Sequence, residues 1–199
     1  MSEPTSSATS DQPEDLGGGK PYPGKECGTC TMCCKVLQIA ALNKKHGEWC
    51  PHAKPGKGCG IYADRPLECR KFHCGYLSSN LSEEWFPLKS KIVLMADQTG
   101  GITAVVDTSR PEAWRDKPFY AQLKSWARTL LPQGKYVVVR VGKRAIAVLP
   151  DQDFDLGAME MDEPLVIETA PGPGGRPIYR ARKPDPGYAA RMQSHKPAP

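Results

Sequence analysis

The sequence predicts an α+β fold, in which a small irregular cysteine module precedes a β-rich body with one main amphipathic helix. Three observations lead to this prediction. All eight cysteines of the 199-residue chain lie between residues 27 and 74. Two pairs of apolar, β-type segments follow them, each pair joined through a glycine-containing turn. Between the two pairs, residues 109–131 carry apolar side chains at helical spacing.

Composition divides the chain into four segments. Residues 1–24 are polar and include three consecutive glycines, which predicts a disordered leader. Residues 25–77 form the cysteine module, and residues 78–181 form the small α+β body. Residues 182–199 are rich in proline and basic side chains, which predicts a disordered tail.

The N-terminal residues have neither the basic nor the apolar region of a secretory signal. No later segment approaches the roughly 20 apolar residues of a membrane span. The sequence therefore predicts a cytoplasmic protein that makes no membrane contact. Cytoplasmic thiols stay reduced, so the cysteine cluster favours metal ligation over a disulfide framework.

Within the module, two segments have a local signature. The apolar run Val36–Leu42 predicts a short strand or a helical turn. The run Arg65–Phe72 predicts a helix with Pro66 in its first turn, where no amide hydrogen is needed.

The body begins with a connection, residues 78–90, that Trp85 and its neighbours are expected to hold against the core. Residues 91–96 and 102–107 predict the first hairpin. Ser109 resembles an N-cap, so one amphipathic helix or a broken pair is expected up to Leu131.

A second hairpin is expected from residues 135–141 and 144–149, which flank the turn dipeptide Gly142-Lys143. Residues 151–155 are acidic and predict a solvated loop. Residues 165–167 predict a short strand, and the glycine- and proline-rich residues 171–177 predict a turn.

The cysteines follow the pattern CxxCxxCC and then four further positions. A CxxC turn brings two sulfurs into one small volume, which is typical of metal–thiolate sites. All eight are therefore candidate metal ligands: Cys27, Cys30, Cys33, Cys34, Cys50, Cys59, Cys69 and Cys74.

The vicinal pair Cys33-Cys34 leaves two interpretations open. Two adjacent thiols can bind one tetrahedral zinc only with a strained backbone, so they serve two centres or two irons of one cluster. The first three cysteines have the spacing of a bacterial ferredoxin. We therefore favour an iron–sulfur cluster of the 4Fe–4S type over zinc, while the number of centres stays open.

The module carries nine Lys and Arg residues against four Asp and Glu. These cations can neutralise the negative charge of metal-bound thiolates, so the net charge of +5 does not indicate nucleic-acid binding. Five aromatic and apolar side chains are expected to shield the site from water: Trp49, Ile61, Tyr62, Phe72 and Tyr76. With eight thiols present, His46, His52 and His73 are expected near the site rather than as ligands.

Three segments of the module together resemble a known family. They are CxxCxxCC at residues 27–34, Trp49-Cys50-Pro51, and the segment that runs from Gly58 through Ile61-Tyr62, Arg65-Pro66 and Cys69-Arg70 to Cys74. Together they are similar to the CxxCxxCC putative zinc- or iron-chelating domains, also called YkgJ-type cysteine-cluster proteins. The resemblance covers residues 25–77 and implies metal binding through the eight cysteines. A related cysteine cluster occurs in flagellin lysine N-methylases, enzymes that carry an iron–sulfur cluster and use S-adenosylmethionine. Residues 78–199 contain no motif that matches the remaining parts of those enzymes.

We therefore expect a metal-binding protein that serves in electron transfer, sensing or metal handling, with a protein partner for the metal centre. One alternative is a cluster-dependent enzyme with a protein lysine methyltransferase-like activity, and another is a structural zinc module in an interaction protein. No nucleophile, base and orienting group can be assembled from the sequence. A stand-alone enzyme is thus the less favoured interpretation.

Overall fold

The computed structural model describes residues 19–96, 100–161, 163–185 and 187–188. It has the predicted coarse class, a mixed α+β fold with one main helix and a β-rich body. The predicted leader and tail lie largely outside the described residues and stay predictions.

The cysteine module contains only short elements. They are α1 (Met32–Val36), a 3₁₀ turn (Ala40–Leu42), β1 (Ala53–Lys54), β2 (Gly58–Cys59), α2 (Leu67–Lys71) and α3 (Gly75–Ser78). The run Val36–Leu42 was predicted to form a strand or a helical turn. It ends in the 3₁₀ turn, so the helical turn is the alternative that is observed. The helix predicted over residues 65–72 is confirmed as α2, with Pro66 immediately before its first residue.

The body is built on a five-stranded sheet with the order β3-β4-β5-β6-β7. Its strands are β3 (Ile92–Ala96), β4 (Ile102–Val106), β5 (Val137–Val141), β6 (Arg144–Val148) and β7 (Asp153–Ala158). Both predicted hairpins are confirmed, since β3 pairs with β4 and β5 pairs with β6 in antiparallel register. A 3₁₀ turn (Glu83–Trp85) and α4 (Pro87–Ser90) precede the sheet.

Strands β4 and β5 pair in parallel, with Ile102 opposite Val137 and Val106 opposite Val141. A parallel pair needs a long crossover connection, and the segment that contains α5 (Phe119–Leu130) supplies it. The two hairpins are thereby joined into one sheet.

Two local predictions in the body were wrong. Ser109 does not begin a helix: its amide donates to the Asp107 carboxylate at 3.0 Å, and α5 starts only at Phe119. The acidic segment 151–155 is not simply a loop, because β7 begins at Asp153 and extends the sheet beside β6. The acidic side chain of Asp153 is accommodated by the Lys124 ammonium at 2.8 Å.

A separate two-stranded sheet ends the described chain. It consists of β8 (Val166–Pro171) and β9 (Pro177–Arg182), joined by the predicted turn. The strand expected over residues 165–167 is thus present and longer than expected.

The main sheet is covered on both faces. On one face, Ile92 and Leu94 of β3 pack in the same cluster as Leu123 and Trp126 of α5. On the other face, Val93 packs against the cysteine module, and β8 and β9 pack beside β5 and β6. No described helix is both long enough and apolar enough to cross a membrane.

Candidate metal centre

Helix α1 holds the vicinal cysteines against the body. Met32 and Val36 lie one helical turn apart and pack in one apolar cluster with Val93 of β3 and Val105 of β4. Beside them, the Lys35 ammonium contacts the Asp107 carboxylate at 2.7 Å. The positions of Cys33 and Cys34 are therefore fixed by contacts with the sheet.

The Cys27–Cys30 segment forms a tight turn, in which the Cys30 amide donates to the Cys27 carbonyl at 2.8 Å. The β1–β2 hairpin approaches this turn closely. Gly58 has a φ of +100°, and a Cβ atom there would lie 3.0 Å from the Gly28 carbonyl oxygen. Only glycine fits at that position without a shift, so Gly58 lets the strand with Cys59 reach the site.

The remaining cysteines are brought in by further backbone contacts. The Cys50 amide donates to the Cys34 carbonyl at 2.9 Å. Cys69 lies in α2, which is tied to the loop after α1 because the Glu68 carboxylate accepts the Ala41 amide at 2.8 Å. Cys74 directly precedes α3.

All eight cysteines line one cavity of about 270 Å³. At about 30 Å³ for a water molecule, this volume exceeds what a few waters fill. The walls come from the module and also from the body, which contributes Phe86, Pro87, Val93, Met95 and Met161. The cavity therefore lies where the module meets the sheet.

Within the described residues, no group of three or more Cys, His, Asp or Glu side chains is arranged so that it could hold a metal ion. The fit to a metal centre rests on the chemistry of the donors and on their common cavity. Thiolates are the preferred protein ligands of iron–sulfur clusters and of structural zinc.

The cavity opposes negative charge on its thiols. Burial raises the pKa of Cys27, of Cys30 and of Cys74, the last to about 11, and neighbouring thiols add to the effect. A cation in the cavity would favour the thiolate forms, and metal ligation requires those forms.

Cys33 and Cys34 are joined by a hydrogen bond between their thiols. This bond and burial place the pKa of Cys33 well above its ordinary value. The same bond lowers the pKa of Cys34 to about 7, helped by the positive charges of Lys44 and Arg65. Of the two thiols, Cys34 therefore ionises more readily than Cys33.

Lys44 is a buried cation beside the thiols. Its side chain donates to the carbonyl of Lys35 at 2.9 Å and also to that of Leu37. Burial lowers the pKa of Lys44, and the nearby thiols Cys34, Cys50 and Cys33 act in the opposite direction. This ammonium group is placed to offset negative charge that develops on those sulfurs.

The expected surroundings of the site are only partly as predicted. Of the five shielding side chains, Ile61, Tyr62, Phe72 and Tyr76 line the cavity. Trp49 does not: it is 45% exposed and lies near the Lys35 ammonium, which is 5.5 Å from its ring centre. The position of Trp49 next to Cys50 in the sequence does not indicate whether its ring faces the cavity or the solvent.

His46 and His52 line the cavity together with the thiols, whereas His73 is not among the lining residues. The sequence reasoning missed Lys44, Met95 and Met161. Lys44 had no local signal apart from the basic composition of the module. The two methionines belong to the body and reach the cavity only through the tertiary fold.

Comparisons with protein families, with curated proteins and with solved structures gave no match to this chain. The resemblance to the CxxCxxCC domains thus stays a prediction made from the residues of the module.

Proposed function

We propose that this chain is a metal-binding protein whose cysteine cluster holds an iron–sulfur centre. The observation that carries the proposal is the single cavity lined by all eight cysteines. These residues span 48 positions of the sequence, from 27 to 74, and several elements contribute them. Eight buried or partly buried thiols that share one cavity are suited to binding a thiophilic metal.

The chain's own residues would perform three tasks for the centre. The thiolates bind it, the apolar walls exclude water from it, and Lys44 offsets part of its negative charge. Bound there, an iron–sulfur cluster would supply one-electron transfer. Electron transfer or redox sensing is therefore the function that we favour.

Zinc is the second candidate for the same thiols. A zinc ion surrounded by four protein thiolates has no open position for catalysis, so its role would be structural. The ammonium of Lys44 is compatible with this alternative too, because a four-thiolate zinc centre also carries negative charge.

The test is metal and sulfide analysis, together with a visible absorption spectrum, on the full chain purified without oxygen. We expect a coloured protein that contains iron and sulfide and is bleached by dithionite. A colourless protein that retains zinc would replace the iron–sulfur centre with the structural alternative. A chain that retains neither metal, before and after reconstitution, would contradict the proposal.

The matched variants are Cys30→Ser and His73→Gln. Cys30 lines the cavity and His73 does not, although both belong to the module. We expect the first substitution to reduce the metal content and the second to leave it unchanged. Equal metal loss in both variants would indicate general damage to the module rather than loss of a ligand.

A further inference from the structure

The first and last cysteines of the module, Cys27 and Cys74, both line the cavity although they lie at opposite ends of the module in sequence. Cys74 directly precedes α3. Among the described residues, the segment before α1 contains no helix or strand. The turn that carries Cys27 is therefore held in place by contacts other than those of regular secondary structure.

Lys25 connects this segment to the far end of the module. Its ammonium lies over the ring of Tyr76, 4.0 Å from the ring centre, and donates a hydrogen bond to the Leu81 carbonyl. Lys25 is two residues before Cys27, and Tyr76 is two residues after Cys74. The contact thus brings together the two chain segments that carry the first and last cysteines.

Backbone hydrogen bonds reinforce this connection. The Tyr22 amide donates to the Leu77 carbonyl of α3 at 2.8 Å, and the Lys25 amide donates to the Tyr22 carbonyl at 3.0 Å. Tyr22 and Lys25 therefore form one turn that is bound to the end of the module by its backbone and by a side chain. We call the contacts of Tyr22 and Lys25 with α3 and Leu81 the clasp.

The clasp is anchored in the core of the body. Tyr76 and Leu81 are 6% and 5% exposed and belong to the same apolar cluster as the residues of α5. The Tyr76 ring also packs edge-on against Phe86, with the ring centres 5.3 Å apart, and its hydroxyl donates to the Glu83 carboxylate. One end of the clasp is thus part of a region that apolar packing stabilises.

The clasp closes a loop that contains all eight cysteines, since they all lie between Lys25 and Tyr76. Bringing the ends of a loop together costs conformational entropy. A metal that binds thiols from both ends of the module has less of this cost to overcome when the protein's own groups already hold the ends together. The clasp should therefore strengthen metal binding.

We propose that Lys25 is a positioning residue, which holds the Cys27–Cys30 turn against α3 and thereby determines how tightly the cysteine cavity retains its metal. Lys25 is not among the residues that line the cavity, and a protonated ammonium group has no lone pair for a metal. This inference rests on the proposed function, and it adds a residue outside the cysteines that the metal centre needs.

The test uses three variants of the full chain, purified without oxygen. Lys25→Met keeps an unbranched side chain and removes the ammonium, whereas Lys25→Arg keeps a positive charge and N–H donors. Lys20→Met is the matched control, because it removes the same charge from an exposed position of the same segment. Hydrogen exchange measures the opening of residues 22–30, and a chelator measures the rate of metal loss.

We expect Lys25→Met to accelerate hydrogen exchange in residues 22–30 by about tenfold or more, because it removes a hydrogen bond from a charged donor. Metal loss to the chelator should accelerate by a similar factor. Lys25→Arg should restore both rates, and Lys20→Met should have the wild-type rates. Exchange is compared in samples of equal metal content, and protection of β5 and β6 is the control that the body is folded.

Three results would overturn the proposal. Unchanged exchange in Lys25→Met, even with faster metal loss, would mean that Lys25 acts through its charge and not by holding the turn. Faster exchange with unchanged metal loss would mean that the clasp has no effect on the centre. The same acceleration in Lys25→Arg or in Lys20→Met would show that the ammonium contacts of Lys25 are not the cause.

Failure of the proposed function has a different result. A wild-type chain that retains no metal, before and after reconstitution, would contradict the metal centre itself. The exchange rates of Lys25→Met and Lys25→Arg would still test the clasp in that case, because this measurement does not depend on a bound metal.

Discussion

The cysteine module and the body are stabilised by different means. Of the 35 buried apolar residues among those described, six lie in residues 25–77 and 29 in residues 78–181. The body folds around a core of its own, whereas the module has few apolar contacts and eight thiols. Burial of apolar surface can account for the body, but the module needs a further source of stability.

The two regions nevertheless share a boundary. Met32 and Val36 from the module pack against Val93 and Val105 from the sheet, and Lys35 is paired with Asp107. The module therefore covers a sheet face that would otherwise expose apolar side chains. We expect the body to lose some protection when the module unfolds, and to lose it first in β3 and β4.

Metal removal should separate the two regions most strongly. When a chelator strips the full chain, we expect amide protection in residues 25–77 to fall nearly to that of an unfolded segment, because metal binding is coupled to folding. Strands β5 and β6 should retain their protection. Hydrogen exchange with mass spectrometry measures both in one experiment.

Cys30→Ser should cause much of the same loss of amide protection in residues 25–77. Metal added back should restore this protection in the stripped wild type but not in the variant. Unchanged exchange across residues 25–77 after complete metal loss would mean that the module is held by its apolar contacts instead.

Trp126→Ala should have the next largest effect, this time on the body. Trp126 is 2% exposed, and its ring centre lies 5.3 Å from that of Trp85. Loss of a buried aromatic side chain leaves a cavity, and we expect the free energy of unfolding to fall by about 3–5 kcal/mol. Denaturant titration measures this loss.

The loss should be nearly the same with and without metal, since Trp126 packs in the cluster formed by α5 and the sheet, to which the module contributes only Tyr76 and the adjoining Cys74. The control is Ile178→Ala, at a position that is 39% exposed, where we expect a change within about 0.5 kcal/mol. A loss that depends on metal would show that the two regions are not stabilised separately.

Met32→Ala should weaken the boundary between the regions. Its side chain is 3% exposed and packs against the sheet, so we expect a loss of about 2–5 kcal/mol. Hydrogen exchange should increase in α1 and in β3 together. Leu67→Ala, in the exposed part of the module, is the control and should leave both unchanged.

Asp107→Asn should have the smallest effect, with a dependence on pH. Burial by itself would raise the pKa of Asp107, but hydrogen bonds from Lys35 and Ser109 hold it below its ordinary value. We expect the variant to be less stable at neutral pH by about 1.5–3 kcal/mol, the contribution of a hydrogen bond to a charged group.

The sign follows from the lowered pKa. The carboxylate's contribution is fully present above the ordinary Asp pKa of about 3.9 and is lost as the pH falls through the lower pKa of the folded state. The stability difference between wild type and variant should therefore stay constant down to about pH 4 and close below it. A difference that grows on acidification would contradict this account of the ion pair.

The sequence by itself determined the features that depend on near neighbours. The strands of both hairpins were predicted within two residues, because alternating apolar side chains and the intervening turns are local signals. The eight candidate ligands were likewise visible in the cysteine spacing, and every one of them lines the same cavity.

Only the tertiary structure decided how these pieces meet. The parallel pairing of β4 with β5 joins residues more than 30 positions apart, and no local pattern marks it. Met95 and Met161 reach the cavity from different parts of the chain. The Cys50 amide reaches the Cys34 carbonyl only because two backbone segments that are separate in the sequence lie side by side. Cysteine spacing can indicate candidate ligands because it is a property of the chain, whereas the surroundings of each thiol are set by contacts between residues that are distant in sequence.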